Sequence, residues 1–442
     1  MQSLRLTTPL LLVTTLALAA GCGDSTGNEE GSEETAETGN TSEPTDGGCV
    51  EGEEVSEPIT ADTTWSCDKT LAGLVYVQDG ATLTIDPGVT IRGKSGSALI
   101  IAQGGKLEAA GTKEAPIVFT SSQPDGQRAP GNWGGVVFLG RAHTNLGGGV
   151  GQAEGLSENA AYGGDEDDYN CGTLKWVRVE FAGFELTTDN ELNGVTFYSC
   201  GTGTTVDYLQ VHMGQDDGVE WFGGGFDAKH IIVTGAQDDS LDIDQGFNGT
   251  VQYVLIQQDP GIGNYCFEVS NQDINLDATP RTAPTVCNAT CIGTGDANET
   301  KSAGLKLKEG TNGEFYNSIF MNFKGGWVDL TEKATEDQAD AGKIKLMNDL
   351  FFQPGSVPYV TGEGSVFDLL AFVEDPANMN QIAVDPTLTS TEWLAPNPQP
   401  RDGSPVLGAA GSFAKCEATD YIGAVKDSAG DWTTGWTIWA PN

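Results

Sequence analysis

A seven-residue pattern recurs within the chain and constrains its fold more than any other feature. Residues 215–221 read QDDGVEW, and residues 237–243, which begin 22 positions later, read QDDSLDI. In each copy a polar turn precedes a short segment in which apolar and acidic residues alternate, as they do on a β-strand with one buried face. A period of about 20–25 residues with short strands in every repeat is typical of a coiled solenoid.

The same kind of short segment fills the chain from about Ile59 onward. Apolar runs such as those at 82–85 (TLTI), 99–101 (LII) and 116–119 (PIVF) are separated by Gly, Asp, Asn and Pro. The 60 glycines and the low share of charged residues, 19%, also suit a turn-rich β architecture. We therefore predict an all-β parallel β-helix, in which equivalent residues of successive coils stack about 4.8 Å apart.

Several segments resemble known proteins. Residues 80–91 (GATLTIDPGVTI) and 111–121 (GTKEAPIVFTS) look like the opening coils of secreted β-helix proteins, and the Asp-Asp repeats and the tail at 421–436 are similar too. The chain thus resembles a family of secreted or surface bacterial lipoproteins, mostly without an assigned activity. The resemblance covers most of residues 59–442 and implies a right-handed parallel β-helix of the pectate-lyase-like kind. It implies no activity, because this fold hosts lyases, hydrolases, adhesins and passive stalks.

The N-terminus predicts export. Residues 1–21 combine one positive charge with an apolar run, and the sequence LAAGC ending at Cys22 resembles a lipobox. The resemblance implies a lipoprotein signal peptide over 1–21 and attachment to a membrane through a lipid on Cys22. Because Gly23 is not an inner-membrane retention signal, we expect the outer membrane and exposure at the cell surface. The alternative is an ordinary signal peptide with an unrelated cysteine.

Composition divides the remaining chain into three parts. Residues 22–55 are Gly, Ser, Thr, Glu and Asp with almost no large apolar side chain, which predicts an acidic disordered tether. The β-helix is expected over 56–385, with a loop insertion near 141–172. Residues 386–442 are richer in Pro and Trp, and we predict that they form a C-terminal cap over the open end of the solenoid.

The cysteines predict disulfide bonds. Eight remain when Cys22 is set apart, and an even number in an exported chain indicates up to four disulfides. Cys49 with Cys67, and Cys266 with Cys287 or Cys291, are the local pairs that we expect. A metal site on Cys287 and Cys291 is the alternative, but no second Cys or His pair follows at zinc-finger spacing.

The charge balance excludes one class of partner. The chain has 63 acidic and 22 basic residues, a formal net charge of −41, so it repels phosphate backbones and we expect no nucleic acid to bind. Such a surface attracts divalent cations. Solubility in a salty habitat explains the composition equally well.

Three acidic residues are the first candidate site. Glu220, Asp242 and Glu268 each stand between two apolar residues, so alternation directs them to the outer face of adjacent coils. Stacked carboxylates repel one another unless a cation binds or their pKa values rise. The pattern therefore predicts a Ca²⁺ site or a catalytic carboxylate pair. Carboxylates on adjacent coils would be about 5 Å apart, near the spacing in retaining glycosidases, and those two coils apart about 10 Å, near the upper end of the inverting range. The alternative is a solvated acidic face.

The turns beside this column supply further candidates. The repeated pairs Asp216-Asp217 and Asp238-Asp239, with Asp244 nearby, offer the oxygen ligands that Ca²⁺ prefers. Asp is also common in turns for a structural reason, because it hydrogen-bonds to its own backbone.

Two lysines complete the candidate set. Lys306 and Lys308 follow the acidic column in coil order. In the β-helix lyases a Lys or Arg removes the proton next to a calcium-neutralised uronate, so these lysines are the expected bases if the chain is a lyase. The alternative is that they balance the charge of the column.

Two functions follow from these observations. The first is an outer-surface lipoprotein whose β-helix, stabilised by Ca²⁺, serves in adhesion or binds a polysaccharide or a surface protein. The second is a calcium-dependent polysaccharide lyase or glycoside hydrolase. The first is favoured because the sequence lacks a complete catalytic motif.

Overall fold

Short parallel strands dominate the computed structural model. It describes residues 49–156, 159–187, 190–294, 303–323, 325–353, 359–361 and 365–442. The predicted signal peptide, Cys22 and the tether up to residue 48 lie outside the described residues. Among those described, no helix is long and apolar enough to cross a membrane.

One sheet has ten strands in the described part of the chain, and each pairs in parallel with the corresponding strand of the next coil. We call it the ten-stranded sheet. Its strands are Leu74–Val77, Ala98–Ile101, Val136–Leu139, Val195–Tyr198, Val219–Phe222, Leu241–Asp244, Tyr265–Val269, Ala303–Leu307, Val328–Leu330 and Tyr359–Thr361.

The second sheet has 17 strands and supplies the other walls of the solenoid. Each coil runs through this large sheet and then through one strand of the ten-stranded sheet. The all-β parallel β-helix is thereby confirmed. The strands are Glu53–Val55, Thr63–Trp65, Lys69–Leu71, Thr82–Ile85, Thr90–Gly93, Lys106–Ala110, Ile117–Ser121, Gly172–Glu180, Thr205–His212, Ala228–Thr234, Thr250–Gln257, Thr285–Ile292, Gly313–Tyr316, Ile319–Met321, Ile344–Met347, Leu350–Phe352 and Gln381–Ile382.

The large sheet bends at a column of residues in the left-handed conformation. Trp176, Tyr208, His230 and Tyr253 occupy this corner in successive coils, with φ angles of 52°, 58°, 53° and 62°. Their rings stack on one another, with centroids 3.6, 4.2 and 4.9 Å apart. Ring stacking between coils therefore accompanies a backbone conformation that L-residues seldom adopt.

The solenoid begins earlier than the sequence predicted. Glu53–Val55 forms a strand that pairs with Lys69–Leu71, so three residues assigned to the tether belong to the β-helix. Their alternation is hard to detect in the sequence because two of the three residues are glutamates.

The insertion near 141–172 folds over the outer face of the ten-stranded sheet. It contains an antiparallel pair of short strands, Gly151–Gln152 and Ala161–Tyr162. Leu156 and Tyr162 pack with Tyr198 and Phe222 in an apolar cluster on that face. The insertion therefore reaches the coils that carry the acidic column, because Phe222 shares a strand with Glu220 and the Tyr162 hydroxyl donates to Gln245 Oε1.

The C-terminal segment lies along the flank of the large sheet, whereas the sequence predicted a cap over the open end. Its backbone bonds to side chains of many coils: Asn348 donates to Ala409 O, Asn288 to Tyr421 O, and His212 contacts Ala440 O. These polar side chains lie on the outer face and donate hydrogen bonds to backbone carbonyl groups that the irregular segment would otherwise leave unpaired. The segment includes the antiparallel strands Leu388–Glu392 and Ala395–Pro400.

A short helix contributes to the core at the C-terminal end. Leu369–Val373 buries Leu369 and Val373 in the main core cluster. The other helices in the described ranges are Lys333–Asp340 and the 3-10 turn Pro376–Asn378. A further antiparallel pair joins Phe184–Thr187 to Asn190–Leu192.

Three disulfides are present in the described chain. Cys49–Cys67 confirms the local prediction, and Cys171–Cys200 and Cys287–Cys416 were not predicted. The predicted pair of Cys266 with Cys287 is wrong, because Cys287 bonds to the C-terminal segment, 129 residues away. Cys266 and Cys291 are buried thiols.

Candidate functional site

The predicted acidic column is a continuous ladder across the ten-stranded sheet. Glu220 pairs in register with Asp242, Asp242 with Glu268, Glu268 with Lys306, and Lys306 with Asp329. All five side chains share one face, because each is the second or fourth residue of its strand between inward apolar neighbours. The structure thus brings together four of the predicted catalytic residues and adds Asp329.

The ladder is largely shielded from solvent. Glu220 and Glu268 are 7% and 9% exposed. Asp242 is partly exposed as a residue, but its Oδ1 is buried and has no hydrogen-bond partner among the described residues. The alternative of a fully solvated acidic face is therefore wrong for this part of the chain, and the carboxylates pay a desolvation cost unless something compensates for it.

The turn aspartates form a second ladder next to the first. The backbone N–H of Asp217 donates to Asn193 Oδ1, that of Asp239 to Asp217 Oδ1 at 2.8 Å, and that of Tyr265 to Asp239 Oδ1 at 2.6 Å. Each side chain thus accepts a hydrogen bond from the turn of the next coil. Asp217 and Asp239 therefore have a structural role, but it differs from the local turn bond that the sequence suggested, because each side chain accepts from the backbone of the next coil.

The two ladders together place carboxylates in repeating groups of three. Asp217, Glu220 and Asp242 bring one oxygen each within 4.8 Å of one another, and so do Asp239, Asp242 and Glu268. Every member of the second group is the next-coil neighbour of a member of the first, and Asp242 belongs to both.

Two predicted ligands lie at the edge of these groups and one lies outside them. Asp216 and Asp238 form a third group with Asp217. Asp244 belongs to none of the three, and its carboxylate accepts a hydrogen bond from the backbone N–H of Gln245 at 2.5 Å.

Burial raises the pKa of four carboxyl groups well above the usual range. For Asp217, Glu220, Asp239 and Asp242, desolvation is the main cause and the neighbouring carboxylates add to it. Burial likewise raises the pKa of Asp244 to about 7. Without a cation, burial and mutual repulsion therefore favour the protonated form of these carboxyl groups.

The two predicted bases are held in ion pairs. Lys306 Nζ lies 2.6 Å from Asp329 Oδ2, and Lys308 pairs with Glu268. Burial alone would lower the pKa of Lys308. The adjacent Glu268 carboxylate has the larger effect in the opposite direction, so the pKa of Lys308 is raised. A general base at neutral pH needs a lowered lysine pKa, so this environment favours the charge-balancing role.

Two members of the site were missed from the sequence. Asn193 donates to Glu220 Oε2 and precedes a Gly-Val pair, as Asp217 does. Asp329 stands between Val328 and Leu330, the alternation that identified the other acids. Both patterns are visible in the sequence. The number of residues between these coils varies, however, so the sequence does not show that Asn193 and Asp329 align with the acidic column.

The residues fit a calcium ion. Ca²⁺ takes six to eight oxygen ligands in irregular shells. The cluster offers carboxylate oxygens on successive coils, and the buried Oδ1 of Asp242 is at its centre without a partner. Asp217, Glu220, Asp239, Asp242 and Glu268 would hold such an ion, which would neutralise their mutual repulsion.

Comparison with known proteins agrees with this architecture. Residues 57–379 match the pectate-lyase-like β-helix domain, which covers well over half of the chain. A search of curated proteins found no match, and a search of solved structures found none either. The chain therefore belongs to the family of pectate-lyase-like β-helix domains.

Proposed function

We propose that this protein is a non-catalytic surface scaffold, a β-helix that Ca²⁺ stabilises and that serves in adhesion or in binding a polysaccharide or surface protein. The observation that carries the proposal is the repeated group of three carboxylates that shares Asp242. A cation bound there would join three consecutive coils of one sheet. Its main effect would be mechanical and thermal stability of the displayed body.

The ion pairs of the two lysines favour a scaffold over a lyase. Lys306 and Lys308 each face a carboxylate at hydrogen-bond distance, and their side chains are 13% and 28% exposed. A lyase base must approach its substrate with a free electron pair. In this arrangement the lysines neutralise Asp329 and Glu268 instead.

We further propose that the chain is exported and attached to the outer membrane by a lipid on Cys22. Three disulfides support export, because such bonds form and persist outside the reducing cytoplasm. Metabolic labelling with a radioactive fatty acid tests the anchor. We expect label in the wild-type chain and none in Cys22→Ala, while equal labelling of both would contradict the anchor.

The decisive functional experiment is a depolymerase screen. The purified protein is offered uronate-containing and neutral polysaccharides, with Ca²⁺ or with chelator, and unsaturated products and new reducing ends are measured. We expect no cleavage and retention of at least one polysaccharide or surface protein in a pull-down. Calcium-dependent cleavage that Lys306→Met or Lys308→Met abolishes would overturn the proposal and assign the site to a lyase.

A further inference from the structure

The two buried thiols of the chain are neighbours in space. Cys266 lies in Tyr265–Val269 of the ten-stranded sheet, and Cys291 lies in Thr285–Ile292 of the large sheet, one coil later. The thiol of Cys266 is within hydrogen-bonding reach of Cys291. Both residues are 0% exposed and belong to the main core cluster.

The other described cysteines are all paired. Six of them form three disulfides, and Cys287 bonds to Cys416 although Cys291 is only four residues along the same strand. The pairing of Cys287 leaves Cys266 and Cys291 as each other's only remaining partners in the described chain.

We propose that Cys266 and Cys291 form a fourth disulfide, which joins two consecutive coils through the core. The bond forms by exchange with an oxidising protein disulfide of the exporting compartment. One thiol loses its proton and attacks that disulfide, and the second then displaces the oxidant from the mixed disulfide. The cysteine pair loses two electrons and two protons, and the oxidant leaves as a dithiol.

The burial of the pair fixes when this reaction takes place. Since neither sulfur is exposed in the folded protein, an oxidant reaches them only while the coils assemble. Burial also raises the pKa of the Cys266 thiol, so a pair that folds in the reduced form stays unreactive.

The bond would lie on the strand that carries Glu268 of the acidic ladder. Cys266 is two residues before Glu268, and its strand carries the next-coil neighbours of Leu241 and Asp242. A covalent link at this point would hold the spacing of the coils that carry the carboxylates, independently of any bound cation.

The test is a count of free thiols in the exported full-length protein. The protein is denatured without reductant in the presence of an alkylating reagent, digested and mapped by mass spectrometry. We expect a linked peptide that joins Cys266 to Cys291 and no alkylation at either residue. Alkylation of both residues in the unreduced sample would overturn the proposal.

A variant provides the matched control. In Cys291→Ser we expect one alkylated thiol, at Cys266, with the three other disulfides retained. If this variant is not exported, the measurement on the wild-type chain still decides the question, because it requires no substitution.

Discussion

A single buried carboxyl group can make the stability of this protein depend on pH. Asp349 is an example that is separate from the acidic ladder. It is 0% exposed, its Oδ1 accepts a hydrogen bond from the Ser318 N–H at 2.8 Å, and its Oδ2 is buried without a hydrogen-bond partner among the described residues. Burial raises the pKa of Asp349 well above its usual range. Since the folded state then binds the proton more tightly than the unfolded state, Asp349 favours folding less as pH rises.

We predict that Asp349→Asn removes this pH dependence. The amide keeps an oxygen for Ser318 and carries no charge. As pH rises from about 4 through the raised pKa, the wild-type protein should lose stability relative to the variant, by about 1–3 kcal/mol in total. Urea denaturation at several pH values measures the difference. A difference that is constant across the range would contradict the prediction.

At Lys308 the prediction concerns a charge pair. Lys308→Met leaves Glu268 buried without its cation, and we expect the free energy of unfolding in chelator to fall by about 1–3 kcal/mol, less than for a fully buried pair because Lys308 is partly exposed. Lys343→Met, at an exposed position, is the control and should change the stability little. Equal effects of the two substitutions would show that the pair has no such role.

At the scale of elements, side-chain ladders connect coils whose backbones are already paired. The turn ladder of Asn193, Asp217 and Asp239 gives each turn a hydrogen-bond acceptor for the next one. The insertion is attached in a different way, through the apolar cluster that includes Leu156 and Tyr162 and through polar contacts such as that of His143 with Gly246. These connections determine how independently each coil or loop opens.

The two roles of Asp239 can be separated by substitution. Asp239→Ala removes the acceptor of the Tyr265 N–H and should destabilise the protein by about 1–3 kcal/mol. Asp239→Asn keeps that acceptor and removes a charge from the cluster. We therefore expect the Asn variant to match or exceed the wild type in thermal stability in chelator, but to gain less from Ca²⁺. Loss of stability in chelator as large as that of the Ala variant would contradict the dual role.

The insertion is fastened by His143. Its Nδ1 is 2.7 Å from Asp167 Oδ1, and its Nε2 is 3.0 Å from Gly246 O. Both partners are acceptors, so each contact is a hydrogen bond when the imidazole nitrogen concerned carries the hydrogen.

We predict that His143→Phe loosens the insertion. The loss of these bonds, worth about 1.4 kcal/mol, corresponds to about tenfold faster amide hydrogen exchange. The increase should be confined to the insertion, including Ala153 and Tyr162, and should be absent from the strand Thr250–Gln257. Unchanged exchange in the insertion would show that its other contacts hold it without His143.

Sequence reasoning recovered this site where the signal was local. Alternation around Glu220, Asp242 and Glu268 was enough to predict a shared face, because the side chains of a strand alternate strictly. The pairing of Cys287 with Cys416 could not be predicted in this way, since it depends on the position of a distant segment on the flank of the solenoid. The burial of the ladder also depends on tertiary structure, which a strand pattern does not contain.

At the scale of the whole molecule, the net charge of −41 and the acidic ladder are two parts of one electrostatic problem. Self-repulsion of this size destabilises a compact state, and the buried carboxylates add to it where water cannot screen them. A bound divalent cation would reduce both effects. We therefore predict that the stability of the folded state depends on calcium and that the calcium affinity falls as acid protonates the ladder.

The most direct measurement is the melting temperature of the purified protein as a function of Ca²⁺ concentration at neutral pH, for wild type, Asp242→Asn and Asp402→Asn. Asp402 is an exposed acid outside the three carboxylate groups, so its substitution controls for the loss of one charge. At a concentration 100 times the dissociation constant, binding adds about 2.7 kcal/mol to the folded state. We predict a rise in melting temperature for wild type and Asp402→Asn that Asp242→Asn largely loses. A wild-type protein that does not respond to Ca²⁺, or an Asp242→Asn variant that responds equally, would contradict the account.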